Sequence, residues 1–247
     1  MAIKAPARPT EPLLLHAHTT VIVHDQSITS DWQRVLPVLH GAGFRLRELR
    51  RADAASLVAN LTTSEVSRFI TPPPTTLEGF EQFVDYAARR GHEGEFICFA
   101  VVPDGVDTAV GIFQLRGLDA QFVSAEWGFA LGSRYWGSGL FESGAQLVMR
   151  FAFETVGVRR LEARSMVGNL RGNSALRKLG ARKDGVLRDS AMKDGCLHDQ
   201  YLWAILAQDW QQANGGSRPV AADAVPHPWP GADDGEHSGR LLRPQVH

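Results

Sequence analysis

The stretch LGSRYWGSGLFESGAQLVMRFAFETVG, residues 131–157, sets Gly137, Ser138 and Gly139 directly ahead of a long run with helical periodicity. Two glycines around a serine cost order in a folded chain, so some feature must require a bare backbone there. Two readings follow. One is a plain turn from strand to helix, with the glycines at positive φ and no ligand. The other is an anion site. The amides of a first helical turn have no intrahelical partner, the helix dipole adds partial positive charge, and glycine lets a pyrophosphate come close. On that reading Gly137, Ser138, Gly139 and Leu140 offer N–H groups to phosphate oxygens. The familiar nucleotide loops are not matched. The chain has no G-x-x-x-x-G-K-[ST], and its G-x-G lacks the third glycine and the later acid of a dinucleotide fingerprint.

Outward from this loop, helices and strands alternate. FRLREL (44–49) has the period of a half-buried strand, and ADAASLVANL that of a short helix. A turn at Pro72 to Pro74 precedes a helix from about Thr76, with Leu77, Phe80, Phe83 and Tyr86 as its apolar stripe and Gly91 as its C-cap. Strands at 96–102, 108–117 and 122–131, joined by PDG and LDA turns, predict an antiparallel meander. The central helix spans about 139–156, with Leu140, Gly144, Leu147, Val148 and Phe151 on one face and Gly157 at its end. A strand at 159–167, a short helix at 171–180 and strands near 185–191 and 198–206 complete the pattern. The fold class is therefore α/β (α+β), a mixed and mostly antiparallel sheet flanked by helices. The domain spans 31–210. Residues 1–30 form an N-terminal tail, and 211–247, rich in Pro, Gly and Asp, form a tail expected to be disordered.

Composition narrows the function. A net charge of -1 gives no global electrostatic case for nucleic acid or an acidic membrane. The first residues lack the apolar length of a secretory signal or of a span of roughly twenty residues, and a cytoplasmic setting is expected. Two cysteines, Cys98 and Cys196, do not make a disulfide framework. The spacing of His16, His18 and His24 lacks the carboxylate or thiolate partners of a metal-ligand pattern, so no metal is assigned. Ser143 sits on a helix outside any G-x-S-x-G elbow.

The motifs do point to a family. RYWGSG (134–139) fits the R/Q-x-x-G-x-G/A signature of the GNAT acetyltransferase superfamily, and it lies between the expected fourth strand and third helix, as it does there. NLRGNSALRKLG (169–180) resembles that family's next segment, an asparagine after the fifth strand and a helix ending in K-L-G. AEWGFALGSRYWGSGL and SRFITPPPTTLEGFEQFV are similar to the branch of ribosomal-protein N-terminal alanine acetyltransferases. The resemblance covers roughly 43–207.

It implies a sheet splayed between the family's strands 4 and 5, with acetyl-CoA as acyl donor and its pantetheine in the split. Leu131 would contact the pantetheine or thioester. Arg134, Tyr135, Trp136, Gly137, Ser138, Gly139 and Leu140 would hold phosphates, and Asn169 would hydrogen-bond the departing cofactor or simply cap a helix. The implied chemistry is direct attack of a primary amine on the thioester. It needs a deprotonated amine, a donor for the oxyanion and a proton for the thiolate. Glu126 is the candidate base, flanked by Ala125 and Trp127, with a solvent-facing or arginine-paired carboxylate as the alternative. Positions that carry a tyrosine, a serine and a late glutamate in relatives fall here at Leu176, Gly172 and Ala191. Ser174 or Tyr201 is then the candidate acid, unless water serves, while His198 and Asp199 match an H-D of the same branch. The expected partners are acetyl-CoA and an amine acceptor, a peptide N-terminus or a small molecule such as a polyamine, with homodimerisation left open. A non-catalytic acyl-CoA sensor is the reading from another class.

Overall fold

The computed structural model describes residues 32–70 and 74–215. The expected tails, 1–30 and 211–247, lie outside the described residues, apart from 211–215. So do His16, His18, His24, Pro72 and Pro73. One sheet of eight strands runs in the order β1-β2-β3-β4-β5-β6-β8-β7. Its strands are β1 (Leu39–Gly41), β2 (Phe44–Glu48), β3 (Phe96–Pro103), β4 (Gly111–Gly117), β5 (Ser124–Leu131), β6 (Arg160–Met166), β7 (Arg182–Lys193) and β8 (Cys196–Leu206). Every neighbouring pair is antiparallel except β5 with β6. The short β1 shifts the count, so β5 and β6 are the expected fourth and fifth strands.

Alternation along the strands divides the core in two. Phe99, Phe113, Leu115, Trp127 and Trp203 turn to one face, where α4 (Leu140–Arg150) and α5 (Leu170–Lys178) cover them. Cys98, Ala100, Val102 and Ile112 turn to the other, under α1 (Ala54–Leu61) and α3 (Leu77–His92). Helix α4 lies close on the sheet because of Gly144, where a Cβ would fall 2.7 Å from the Phe113 ring. It continues as a π-helical stretch, Phe151–Val156, and stops at Gly157 with φ +88°.

Three details depart from the sequence reading. The buried side of α3 is Phe80, Val84 and Ala87, while Leu77 and Tyr86 are exposed. A strict step of three falls short of the 3.6-residue turn and rotates off the face by about 60° per step. Gly91 is not the cap. The helix runs on to His92, Glu93 N–H donates to Arg89 O, and the left-handed residue is Gly94 at φ +75°. The elements too short or too near the ends to show a period are β1, α2 (Ser64–Ser67) and α6 (Ala207–Ala213), the last carrying helix past residue 210.

A buried ion pair fixes the start of α1 to the sheet. Arg47 donates to both oxygens of Asp53 at 2.8 Å, and Asp53 also accepts from the Arg50 and Ala109 amides. Burial opposes the charged carboxylate, but these donors outweigh it and hold the acid below the usual carboxylate range.

Candidate active site

The parallel pair β5–β6 is in register only at Ser124↔Arg160, Ala125↔Leu161 and Glu126↔Glu162. Beyond Glu126 the strands part. β5 keeps its full ladder to β4 as far as Leu131, and β6 keeps its own to β8 as far as Met166. This leaves a wedge whose apex is Glu126 and whose mouth lies between Leu131 and the start of α5. Each strand of the wedge is held by its antiparallel neighbour, β5 by β4 and β6 by β8.

The glycine loop sits at the mouth. Gly137 and Gly139 have φ +75° and +83°, and a Cβ on either would meet nothing within 4 Å. The positive φ angles show that the turn needs glycines, and the space outside them is open. Ser138 Oγ donates to Tyr135 O, and the Leu140 amide reaches Ser138 Oγ only at 3.4 Å. Among the described residues, the amides of Gly137, Ser138, Gly139, Phe141 and Glu142 meet no protein acceptor. Such a row of N–H groups at the positive end of a helix is suited to a diphosphate.

Leu131 is buried toward α4, and its carbonyl accepts the Trp136 indole N–H at 2.8 Å. Trp136 thereby packs against both cores at the mouth. Its ring also carries the Arg171 guanidinium at 4.4 Å, a residue the sequence reading did not single out. Arg171 links the glycine loop to α5 across the wedge and places a cation there. Arg134 is exposed on the same loop.

Glu126 stands on the α1/α3 side of the sheet, at the apex. Its Oε2 is held by Arg116 from the facing residue of β4, and its Oε1 lies 3.8 Å from Arg164 Nε, too far for a hydrogen bond. Next to it Glu162 pairs with Arg160, which also donates to Asp184 at 2.6 Å. The Asp184 and Glu162 bonds push the Arg160 guanidinium further toward its charged form.

Asn169 caps α5, its side chain accepting from Gly172 N–H at 2.9 Å. Gly172 lies against this cap, and a Cβ there would fall 2.5 Å from Asn169 Nδ2. Leu176 is buried core. Ser174 is exposed on α5, and α5 lies on the α4 side, so Ser174 and Glu126 are not brought to the same face. Tyr201 packs edge-on against Trp203 with Lys183 Nζ 4.4 Å above its ring. Asp199 accepts from the Asp189 amide within the β7–β8 hairpin, and His198 is exposed. A second residue the sequence reading missed is Asn173. It is buried, donates to Met166 O and accepts from Trp203 Nε1 at 2.9 Å, locking α5 to β6 and β8. A polar residue one turn into a helix has no apolar periodicity to reveal it.

Comparison with known proteins agrees with this geometry. The family model of the acetyltransferase (GNAT) domain matches residues 44–182. The uncharacterised N-acetyltransferase p20 of Bacillus licheniformis is 24% identical over 176 residues, 71% of this chain and 99% of its own. The ribosomal protein uS5-alanine N-acetyltransferase of Escherichia coli is 30% identical over 83 residues, 34% of this chain and 43% of that one. The structure of Mycobacterium smegmatis RimJ in complex with CoA-disulfide superposes with a TM-score of 0.60 at 20% identity, over 70% of this chain and 89% of that one. The Vibrio fischeri ribosomal-protein-S5-alanine acetyltransferase does so at 0.62 and 18%, over 70% and 98%. With its domain model matched over more than half its length and a sheet that splits at the expected strands, the chain belongs to the GNAT family and is an acetyltransferase.

Proposed function

We propose that this protein transfers an acetyl group from acetyl-CoA to a primary amine by direct attack on the thioester. One conjunction supports the reading: a wedge between β5 and β6 that ends at a carboxylate, with a row of bare amides at its mouth. The amides of Gly137 to Leu140 hold the diphosphate, helped by the cations Arg134 and Arg171. Asn169 and Trp136 border the arm that enters the wedge, and the backbone of β5 ahead of Leu131 pairs with it. The bound cosubstrate supplies the activated acyl group. A β5 amide past the apex donates to the oxyanion.

Arg116 fixes the Glu126 carboxylate and leaves Oε1 to take the amine's proton, directly or through a water. The thiolate takes its proton from water, because Ser174 faces solvent on the far side of the sheet. The test is thiol release over a panel of amines. Wild type turns over at least one amine, Glu126→Gln lowers kcat by about 10²-fold or more with acetyl-CoA affinity unchanged, and Ser174→Ala stays within about twofold. Tight acetyl-CoA binding without turnover of any amine would overturn the reading in favour of a sensor.

A further inference from the structure

The acceptor side of the wedge holds a carboxamide that the steps above leave unused. Gln114 lies on β4 directly opposite Gly128 of β5. Its neighbours Phe113 and Leu115 point into the α4-side core, so its side chain stands on the same face as Glu126. Gly128 offers no side chain, and Gln114 folds across it: a Cβ on Gly128 would fall 3.0 Å from Gln114 Nε2 and 3.4 Å from its Cγ. Gly128 is two residues past Glu126, the last residue of β5 in register with β6. The carboxamide therefore lies where the wedge has just opened, diagonally across the ladder from the Glu126 carboxylate. It is half-buried, and among the described residues neither its oxygen nor its nitrogen has a hydrogen-bond partner.

The charges around it decide what it can greet. Glu126 is held by Arg116 with Arg164 close by, and Glu162 by Arg160. Each carboxylate of the row is matched to a guanidinium, and Arg116 and Arg164 remain 55% and 43% exposed. A polycation would meet these guanidinia before any unmatched acid. An amine with a carbonyl on the adjacent carbon presents both an N–H and an acceptor oxygen, which is the complement of a carboxamide.

Resting on the transfer reading, we propose that Gln114 is the specificity residue for the acceptor. Its Oε1 accepts from the attacking amine, and its Nε2 donates to the carbonyl one carbon away. The acceptors are then α-amino carbonyl compounds, peptide N-termini or amino-acid amides, in preference to polyamines. Gly128 is glycine because a methyl there pushes the carboxamide off the strand.

The experiment compares wild type, Gln114→Met and Gly128→Ala on an alanyl peptide, on isopropylamine (the same branched carbon without a carbonyl) and on spermidine. Gln114→Met keeps length and loses both hydrogen bonds. The expected result is a peptide KM raised about tenfold, with kcat and the KM for acetyl-CoA within about twofold, and a smaller loss of kcat/KM for isopropylamine, which forfeits only the bond to Oε1. Calorimetric titration of the peptide into the CoA-loaded protein should weaken by the same factor. Gly128→Ala should shift peptide KM in the same direction. An unchanged peptide KM and affinity in Gln114→Met, or a wild type that prefers spermidine to the peptide, overturns the proposal. If no amine turns over, the transfer reading fails on its own, and the calorimetric titration still decides whether Gln114 binds the peptide.

Discussion

Glu126 shows how one side chain serves two demands. It ends the β5–β6 ladder and, in the proposed reaction, faces the side on which the acceptor arrives, so its carboxylate has to be held still without being used up. Arg116 does the holding at one oxygen. Removing that guanidinium leaves the carboxylate without its strand partner, and Arg116→Gln should lower kcat by roughly tenfold while leaving CoA binding intact. Steady-state kinetics beside calorimetry check this, and equal losses in both would point to disruption of the sheet instead. The residue type and its place on β5 are readable from AEWGFAL (125–131), but the two arginines are not. Arg116 and Arg164 come from different strands, and only register brings them to Glu126. The same holds for Gln114, whose interest lies wholly in standing opposite a glycine.

Among the elements, those with a long period were legible and those without one were not. The central helix, expected over 139–156, occupies 140–156, because Gly139 and Gly157, both left-handed, bound a continuous amphipathic run. Short α2 and terminal β1 and α6 give too few residues for a period to register. Helix α5 was placed correctly, yet its attachment was not foreseen, because Asn173 acts through buried hydrogen bonds and not through hydrophobicity. Asn173→Leu leaves Trp203 Nε1 and Met166 O without this partner inside the core, which should cost about 2–3 kcal/mol. A urea titration measures it, and a change under about 0.5 kcal/mol would show that water replaces the lost bonds. Asn169→Ala, which removes only the cap, should cost about 1 kcal/mol by the same measurement.

At the scale of the molecule, the buried Arg47–Asp53 pair and the wedge lie on different strands of one sheet. The β1–β4 half is anchored by the buried Arg47–Asp53 pair, far along the strand order from the wedge. Asp53 is held below the normal carboxylate range, so its contribution is fully present above the unfolded-state value of about 3.9 and is lost as pH falls further, through the folded value. Asp53→Asn should flatten that acid limb in pH-dependent unfolding, and it should lower stability near neutral pH by about 3–5 kcal/mol because Arg47 stays buried and unpaired. An acid limb identical to wild type would assign the loss to other carboxylates. The proposed diphosphate site depends on the bare amides that open α4, and a matched pair of substitutions isolates them. Gly139 and Gly157 lie at opposite ends of the same helical run with φ +83° and +88°, and a Cβ on either meets nothing within 4 Å. Alanine at each position carries the same backbone cost of about 1–2 kcal/mol, but only Gly139 borders the proposed diphosphate. Calorimetric titration of acetyl-CoA should therefore show Gly139→Ala weakened by about tenfold or more and Gly157→Ala binding like wild type. Equal affinity in both variants would contradict the account.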